Sequence, residues 1–115
     1  VVRGDAADFS DPEPFDIGFW SQFFFREGTR VAALETLFRH VRPGGLVAAP
    51  VVHATGDETR AVLLRISLLR VTTQSWGVPD RTPDELVEEF RSAGFVGASV
   101  VDQGARSMLV IAIRP

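Results

Sequence analysis

The sequence predicts an α/β fold with a parallel sheet core and a final antiparallel strand pair. Strand-length apolar runs at Phe15–Phe19, Leu46–Val52, Val96–Val101 and Ser107–Ile113 alternate with stretches of helical periodicity, the order that packs helices on a sheet. The last two runs are joined only by Asp102-Gln103-Gly104-Ala105-Arg106. That link is too short for a parallel crossover, so the pair it joins is antiparallel.

Each element has its own signal. Residues 4–14 are a polar connection broken by Gly4, Pro12 and Pro14. Phe15–Phe19 reads as a short strand, and Trp20–Phe25 prolongs its apolar run with a concentration of aromatic residues. An uninterrupted run of this kind suits a strand buried on both faces. Over Thr29–Val41 the period becomes helical: Val31, Leu34, Phe38 and Val41 form one stripe. Arg39, His40 and Arg42 crowd its C-terminal end, where cations complement the helix dipole, and Pro43-Gly44-Gly45 stops it.

After the strand Leu46–Val52, residues 57–72 read as a helix capped by Asp57. Its apolar residues cover more than one face, so it is either buried on several sides or lies at an interface. Thr73–Arg81 is a loop containing Trp76, Gly77 and Pro79. Thr82-Pro83-Asp84-Glu85 then carries a capping residue, a proline at the first helical position and a glutamate that completes the capping box. Leu86, Val87, Phe90 and Ala93 make that helix's buried stripe, and Gly94 ends it.

Composition narrows the function classes. With 115 residues and 45% hydrophobic content, the chain is of a length for one domain and can supply a core. A net charge of −3 argues against nucleic-acid capture, which shows as a basic face. No apolar run approaches the roughly 20 residues that span a bilayer, and charges at Arg3, Asp5 and Asp8 interrupt any signal peptide. A cytoplasmic protein with no membrane partner is the expectation. There is no cysteine, and His40 and His53 lie far apart in the sequence, so no metal site is expected.

Three segments, in order, resemble class I (Rossmann-like) S-adenosylmethionine-dependent methyltransferases. Gly4-Asp5-Ala6 looks like the acidic loop after that family's third strand. Phe15-Asp16-Ile17-Gly18 is similar to the opening of its fourth strand, and Arg39-His40-Val41-Arg42-Pro43-Gly44-Gly45-Leu46 to the turn into its fifth. Downstream, Ala93-Gly94-Phe95 is similar to the turn before its sixth. The likeness runs over nearly the whole chain, with residues 53–81 matching only as a variable insertion. It implies a partial Rossmann-like sheet, one domain over residues 1–115 that is the C-terminal portion of the family's fold. The family's glycine-rich cofactor loop has no counterpart, since the ten glycines include no Gly-x-Gly-x-Gly cluster. A Rossmann-type site needs close backbone approach at such a turn. The chain therefore reads as part of a longer polypeptide, completed by an N-terminal segment or by association with another copy.

The resemblance also implies site residues. Asp5 would accept a hydrogen bond from the cofactor's adenine, with Ala6 offering its amide; the structural alternative for Asp5 is a turn aspartate bonding its own backbone. Trp20, Ser21, Gln22 and Phe23 follow the first strand, and ligands of open α/β sheets bind at the carboxyl ends of strands. Trp20 and Ser21 are read as backing the cofactor, Gln22 and Phe23 as facing the acceptor, against the alternative that Trp20 and Phe23 are core. Trp76 either covers the substrate or anchors its loop. His53 is a candidate general base, or a solvated loop residue. His40 is explained by its place at a helix end, and Asp16 by the entrance of its strand.

The implied function is that of part of a methyltransferase using S-adenosylmethionine to methylate a small organic molecule. The sulfonium is already activated, so alignment of methyl and acceptor can supply much of the rate, and no fixed catalytic triad is needed. Two alternatives stay open: a non-catalytic methyltransferase-like module acting as partner or scaffold through residues 57–72, and another doubly wound enzyme of the same architecture.

Overall fold

The computed structural model describes residues 9–51, 59–102 and 108–115. Among these, four strands form one sheet: β1 (Phe15–Phe19), β2 (Val41–Val51), β3 (Val96–Asp102) and β4 (Met108–Ile113). Three helices accompany them: α1 (Glu27–His40), α2 (Arg60–Ser75) and α3 (Pro83–Ser92), with a short 3₁₀ turn at Gln22–Phe24 after β1. The sheet order is β1-β2-β4-β3. β1 pairs with β2 in parallel, while β4 runs antiparallel to both β2 and β3. The mixed α/β sheet with a C-terminal antiparallel pair is the expected one. What the sequence did not reveal is that β4 inserts between β2 and β3.

One face of the sheet carries the core. The pleat aligns Gly18, Val47, Ala112 and, one step along, Ala49 and Val110 on that face, and Ala33 and Leu34 of α1 with Leu86 and Phe90 of α3 pack against them. Aromatic rings continue the packing from Trp20 to Phe90 (centroids 6.0 Å), Phe90 to Phe95 (5.5 Å) and Phe95 to Phe38 (5.1 Å), all edge-on. Among the described residues the opposite face is bare of helices: Ile17, Phe19 and Ile113 are exposed on it, and Leu46, Ala48 and Ile111 are not fully covered.

Where local chemistry was decisive, the elements follow the sequence. Thr82 caps α3 through the Glu85 amide (3.2 Å), and the Glu85 carboxylate accepts from the Thr82 amide (3.3 Å), closing the capping box. Gly94 ends the helix at φ +103°, a conformation open to glycine.

The structure departs from the expected elements in α1, β2 and α2. α1 stops at His40, before Pro43-Gly44-Gly45, because the residue preceding proline is pushed to extended backbone. Residues 42–45 then bulge out of the β1–β2 pairing, which jumps from Phe15–Val41 to Ile17–Leu46. Gly45 sits where the strands approach so closely that a Cβ would lie 2.8 Å from the Arg42 carbonyl oxygen and 2.9 Å from that of Asp16. Val31, expected in the buried stripe of α1, is exposed, since the helix turns Arg30, Ala33 and Leu34 inward instead. Finally, α2 begins at Arg60 and runs on through Thr73, where a loop was expected. Within the helix the hydroxyls of Thr72 and Thr73 donate to the carbonyls of Leu68 (2.8 Å) and Leu69 (2.9 Å) one turn back. Its cap candidate, Asp57, lies outside the described residues. Only Ile66 and Thr73 of α2 are buried; Leu64, Leu68 and Val71 are exposed.

Candidate functional site at the strand ends

The carboxyl ends of β1 and β2 lie side by side, and the chain leaves β1 there through a tightly bonded turn. The Trp20 amide still donates to the Ala48 carbonyl (2.9 Å), after which the Gln22 amide donates back to the Trp20 carbonyl (2.9 Å) and opens the 3₁₀ turn. The Gln22 side chain, 2% exposed, bridges the two strand ends. Its Nε2 donates to the Pro50 carbonyl (3.0 Å), and its Oε1 accepts from Arg30 Nη2 (2.8 Å).

Arg30 is the centre of this arrangement. It is 1% exposed, yet its guanidinium is fully occupied. Nε and Nη2 donate to the two Glu89 carboxylate oxygens, both at 2.7 Å, and Nη1 donates to the Gln22 carbonyl (3.2 Å). The guanidinium also lies 4.7 Å from the centroid of the Trp20 ring, within cation–π range. Arg81 extends the network, donating to Glu89 (3.0 Å) and to both oxygens of Glu27 (2.7 and 2.9 Å). Partial burial opposes the charge on Arg81. Hydrogen bonding to Glu27 and the charge of Glu89 outweigh it and raise the guanidinium pKa above its ordinary value.

The predicted site residues therefore take different positions. Trp20 (4% exposed) packs on Phe25 and Phe90, and Gln22 has only internal partners, so these two shape the turn from beneath. Ser21 and Phe23, which alternate with them, are half-buried. Trp76 follows the end of α2 and is half exposed. Phe23 meets Leu69, Arg70 and Thr73 of α2 at a small cleft of about 20 Å³, which brings α2 beside the turn. Asp5, Ala6 and His53 lie outside the described residues. His40 Nδ1 donates to the Thr36 carbonyl (2.7 Å), and Asp16 pairs with Arg42 across the strand entrance. Among the described residues no three His, Cys, Asp or Glu side chains gather as a metal site.

A wider groove of about 640 Å³ runs between α1 and α3, rimmed by Glu27, Glu35, Glu85 and Glu88, and none of the predicted site residues lines it. Ligands of open α/β sheets bind outside the carboxyl ends of the strands, which favours the turn over the groove.

Arg30 and Glu89 were not singled out from the sequence, though both carry a signal. Arg30 precedes Leu34 and Leu37 by four and seven residues, and Glu89 lies between Leu86 and Ala93 at helical spacing. A charged residue on an apolar stripe marks a buried pair.

No protein-family model and no curated protein matches the sequence. Solved structures do match in fold. Human N-acetylserotonin methyltransferase in complex with SAM superposes with a TM-score of 0.71 at 22% identity, over 98% of this chain and 33% of that one. PigF with SAH gives 0.70 at 19% identity, over 97% and 34%. An O-methyltransferase family protein from Burkholderia thailandensis gives 0.67 at 22%, over 96% and 33%. The chain shares the fold of part of each of these methyltransferase structures. It spans about a third of the length of these structures. Phe15-Asp16 opens β1, Arg39–Leu46 spans the end of α1 and the start of β2, and Ala93-Gly94-Phe95 leads into β3. No helix among the described residues is long and apolar enough to cross a membrane.

Proposed function

We propose that this chain is the C-terminal portion of a methyltransferase that uses S-adenosylmethionine to methylate a small organic acceptor, with the cofactor at the carboxyl ends of β1 and β2. The reading rests on the methyltransferase fold itself, shared with structures solved with SAM and with SAH. The buried clamp at the strand ends supports the placement. Arg30, Gln22 and Glu89 hold the turn of residues 20–25 rigidly to the end of β2, which is what alignment of two reactants requires.

In this reading Asp5 accepts from the adenine amino group and the Ala6 amide lies beside it. Ser21 and the backbone of Trp20 back the cofactor. Phe23 and Trp76 present apolar surface to the acceptor, while Gln22 acts by fixing the position of Phe23. His53, after β2, is the candidate base for an acceptor that must lose a proton. The bound cofactor supplies a methyl group already activated on sulfonium, so the chain's own residues have only to hold, orient and exclude water. The chain has no Gly-x-Gly-x-Gly turn, and the remaining cofactor contacts come from a polypeptide segment beyond these 115 residues.

A second reading has one observation in its favour. Leu64, Leu68 and Val71 make an exposed apolar stripe on α2, which suits a methyltransferase-like module that acts as a partner without catalysis.

Calorimetric titration of S-adenosylhomocysteine into the 115-residue chain, its intact mass verified, and into the same chain joined to a segment carrying a glycine-rich loop, tests the proposal. Binding only in the joined species supports it. Absence of binding in a folded joined species overturns it in favour of the non-catalytic module.

A further inference from the structure

We propose that helix α2 of one copy of this chain docks into the groove between α1 and α3 of a second copy, in a two-fold pair that makes the contact twice. The proposal does not depend on the methyltransferase reading, which concerns the strand ends.

Two surfaces left open within the chain are complementary. The groove of about 640 Å³ has an apolar floor, formed by Val31, Leu34 and Ala93, and an acidic rim. Val31 is 68% exposed there although it sits within α1. Six carboxylates line the groove against the two guanidiniums of Arg30 and Arg81. Of these carboxylates, Glu35 and Asp84 are exposed and pair with no cation among the described residues.

Helix α2 has the opposite character. Its charged residues are Arg60, Arg65 and Arg70, with no acid anywhere in the helix. Arg70 is engaged by Asp80 (3.1 Å), whereas Arg60 and Arg65 are exposed and pair with no carboxylate among the described residues. Leu64, Leu68 and Val71 are 62%, 68% and 65% exposed, and their spacing of four and three puts them on one face. Helical periodicity places Arg60 and Arg65 on either side of that stripe.

Within its own chain α2 cannot turn this face to the groove. Its buried residues are Ile66 and Thr73, and Leu69, Arg70 and Thr73 meet Phe23 at the turn after β1. The stripe lies on the opposite side of the helix and points away from the chain's own core.

Charge and length identify the occupant. A small cation meets exposed carboxylates one at a time, and such single pairs are too weak to hold it. Nucleic acid is repelled by the acidic rim. A helix with an apolar stripe between arginines covers the floor and meets both sides of the rim together. Residues 64–71 of α2 and 85–92 of α3 each span about 10 Å at the helical rise, so two turns of α2 match the groove. Two-fold symmetry lets each copy give its α2 and receive the other's.

Sedimentation velocity on the 115-residue chain, from about micromolar to about millimolar, tests the contact. The expected result is a reversible, concentration-dependent dimer. Arg65→Glu on α2 and Glu35→Arg in the groove each set like charges against one another and weaken the dimer about tenfold or more. Leu68→Glu, which places a carboxylate on the apolar floor, weakens it about a hundredfold. All three side chains are exposed in the single chain, so the variants keep the circular dichroism of the parent. The decisive sample is an equal mixture of Arg65→Glu and Glu35→Arg. There each reversed α2 meets a reversed groove, and each unaltered α2 an unaltered groove. Association is expected to return to within about threefold of the parent, a rescue that misfolded variants could not give. A parent that stays monomeric throughout, a dimer indifferent to either charge reversal, or a mixture no better associated than its components would each overturn the proposal. None of these readouts involves a cofactor, so the contact and the proposed function stand or fall separately.

Discussion

Arg30 of α1 and Glu89 of α3 meet in a two-pronged ion pair, Nε to Oε2 and Nη2 to Oε1, both at 2.7 Å. The geometry matches a planar guanidinium to a carboxylate, and the arginine is buried while the glutamate keeps a little solvent. Removing one partner of such a pair leaves a charge buried without its match. Glu89→Ala is expected to destabilise the chain by about 2–4 kcal/mol, somewhat below the range for fully buried pairs because the Glu89 carboxylate is partly solvated. Urea unfolding of the two proteins measures it. A loss below about 0.5 kcal/mol, the size of an exposed pair, would show that the clamp does not hold the strand ends.

The capping box of α3 should be visible in the pH dependence of stability. Hydrogen bonding to the Thr82 side chain, and then to its backbone amide, holds the Glu85 carboxyl below its ordinary value. A carboxyl whose folded pKa is depressed stabilises the fold above its unfolded value, and that contribution disappears as pH falls through the folded one. Thr82→Ala is expected to cost about 1 kcal/mol at neutral pH. The deficit narrows in acid, from the usual carboxylate range downward. An NMR titration should find Glu85 returned toward its ordinary value in the variant. A deficit that does not change with pH would count against the assignment.

Gly44 and Gly45 are adjacent, yet their substitution should differ in kind. Gly44 has φ +80° with open space where a Cβ would stand, so Gly44→Ala costs backbone strain of about 1–2 kcal/mol. At Gly45 a Cβ meets the carbonyl oxygens of Arg42 and Asp16 as well as the Val41 side chain, and backbone cannot yield as a flexible side chain does. Gly45→Ala requires β1 and the start of β2 to separate, for about 1–3 kcal/mol with slowed formation of the parallel pair. Thermal unfolding together with amide exchange at Ile17 and Leu46 distinguishes them: only Gly45→Ala should speed exchange across the β1–β2 ladder.

The fold is most legible in the sequence where a local chemical rule decides the outcome. Thr82-Pro83-Asp84-Glu85, Gly94 and the short link after Asp102 each act within a few residues, and α3 and the β3–β4 pair stand as expected. It is least legible where remote partners decide. Val31 is as apolar as Leu34, and only the direction from which the sheet approaches α1 settles which of them is buried. Arg30 and Glu89 are 59 residues apart, so their pairing was invisible, although each breaks an apolar stripe. Among the site candidates, Trp20 and Gln22 are turned inward by that pair, Ser21 and Phe23 are half-buried, and Trp76 is half exposed.

If the carboxyl ends of β1 and β2 hold the cofactor of a methyltransferase, the turn that follows β1 must lie against it. Ultraviolet cross-linking of methyl-labelled S-adenosylmethionine to the chain joined with a loop-bearing N-terminal segment, followed by peptide mapping, tests this. Label is expected on the peptide spanning residues 20–25, competed away by S-adenosylhomocysteine. Label confined to the α1–α3 groove, at Val31 or Ala93, would put the cofactor elsewhere and refute the proposed site.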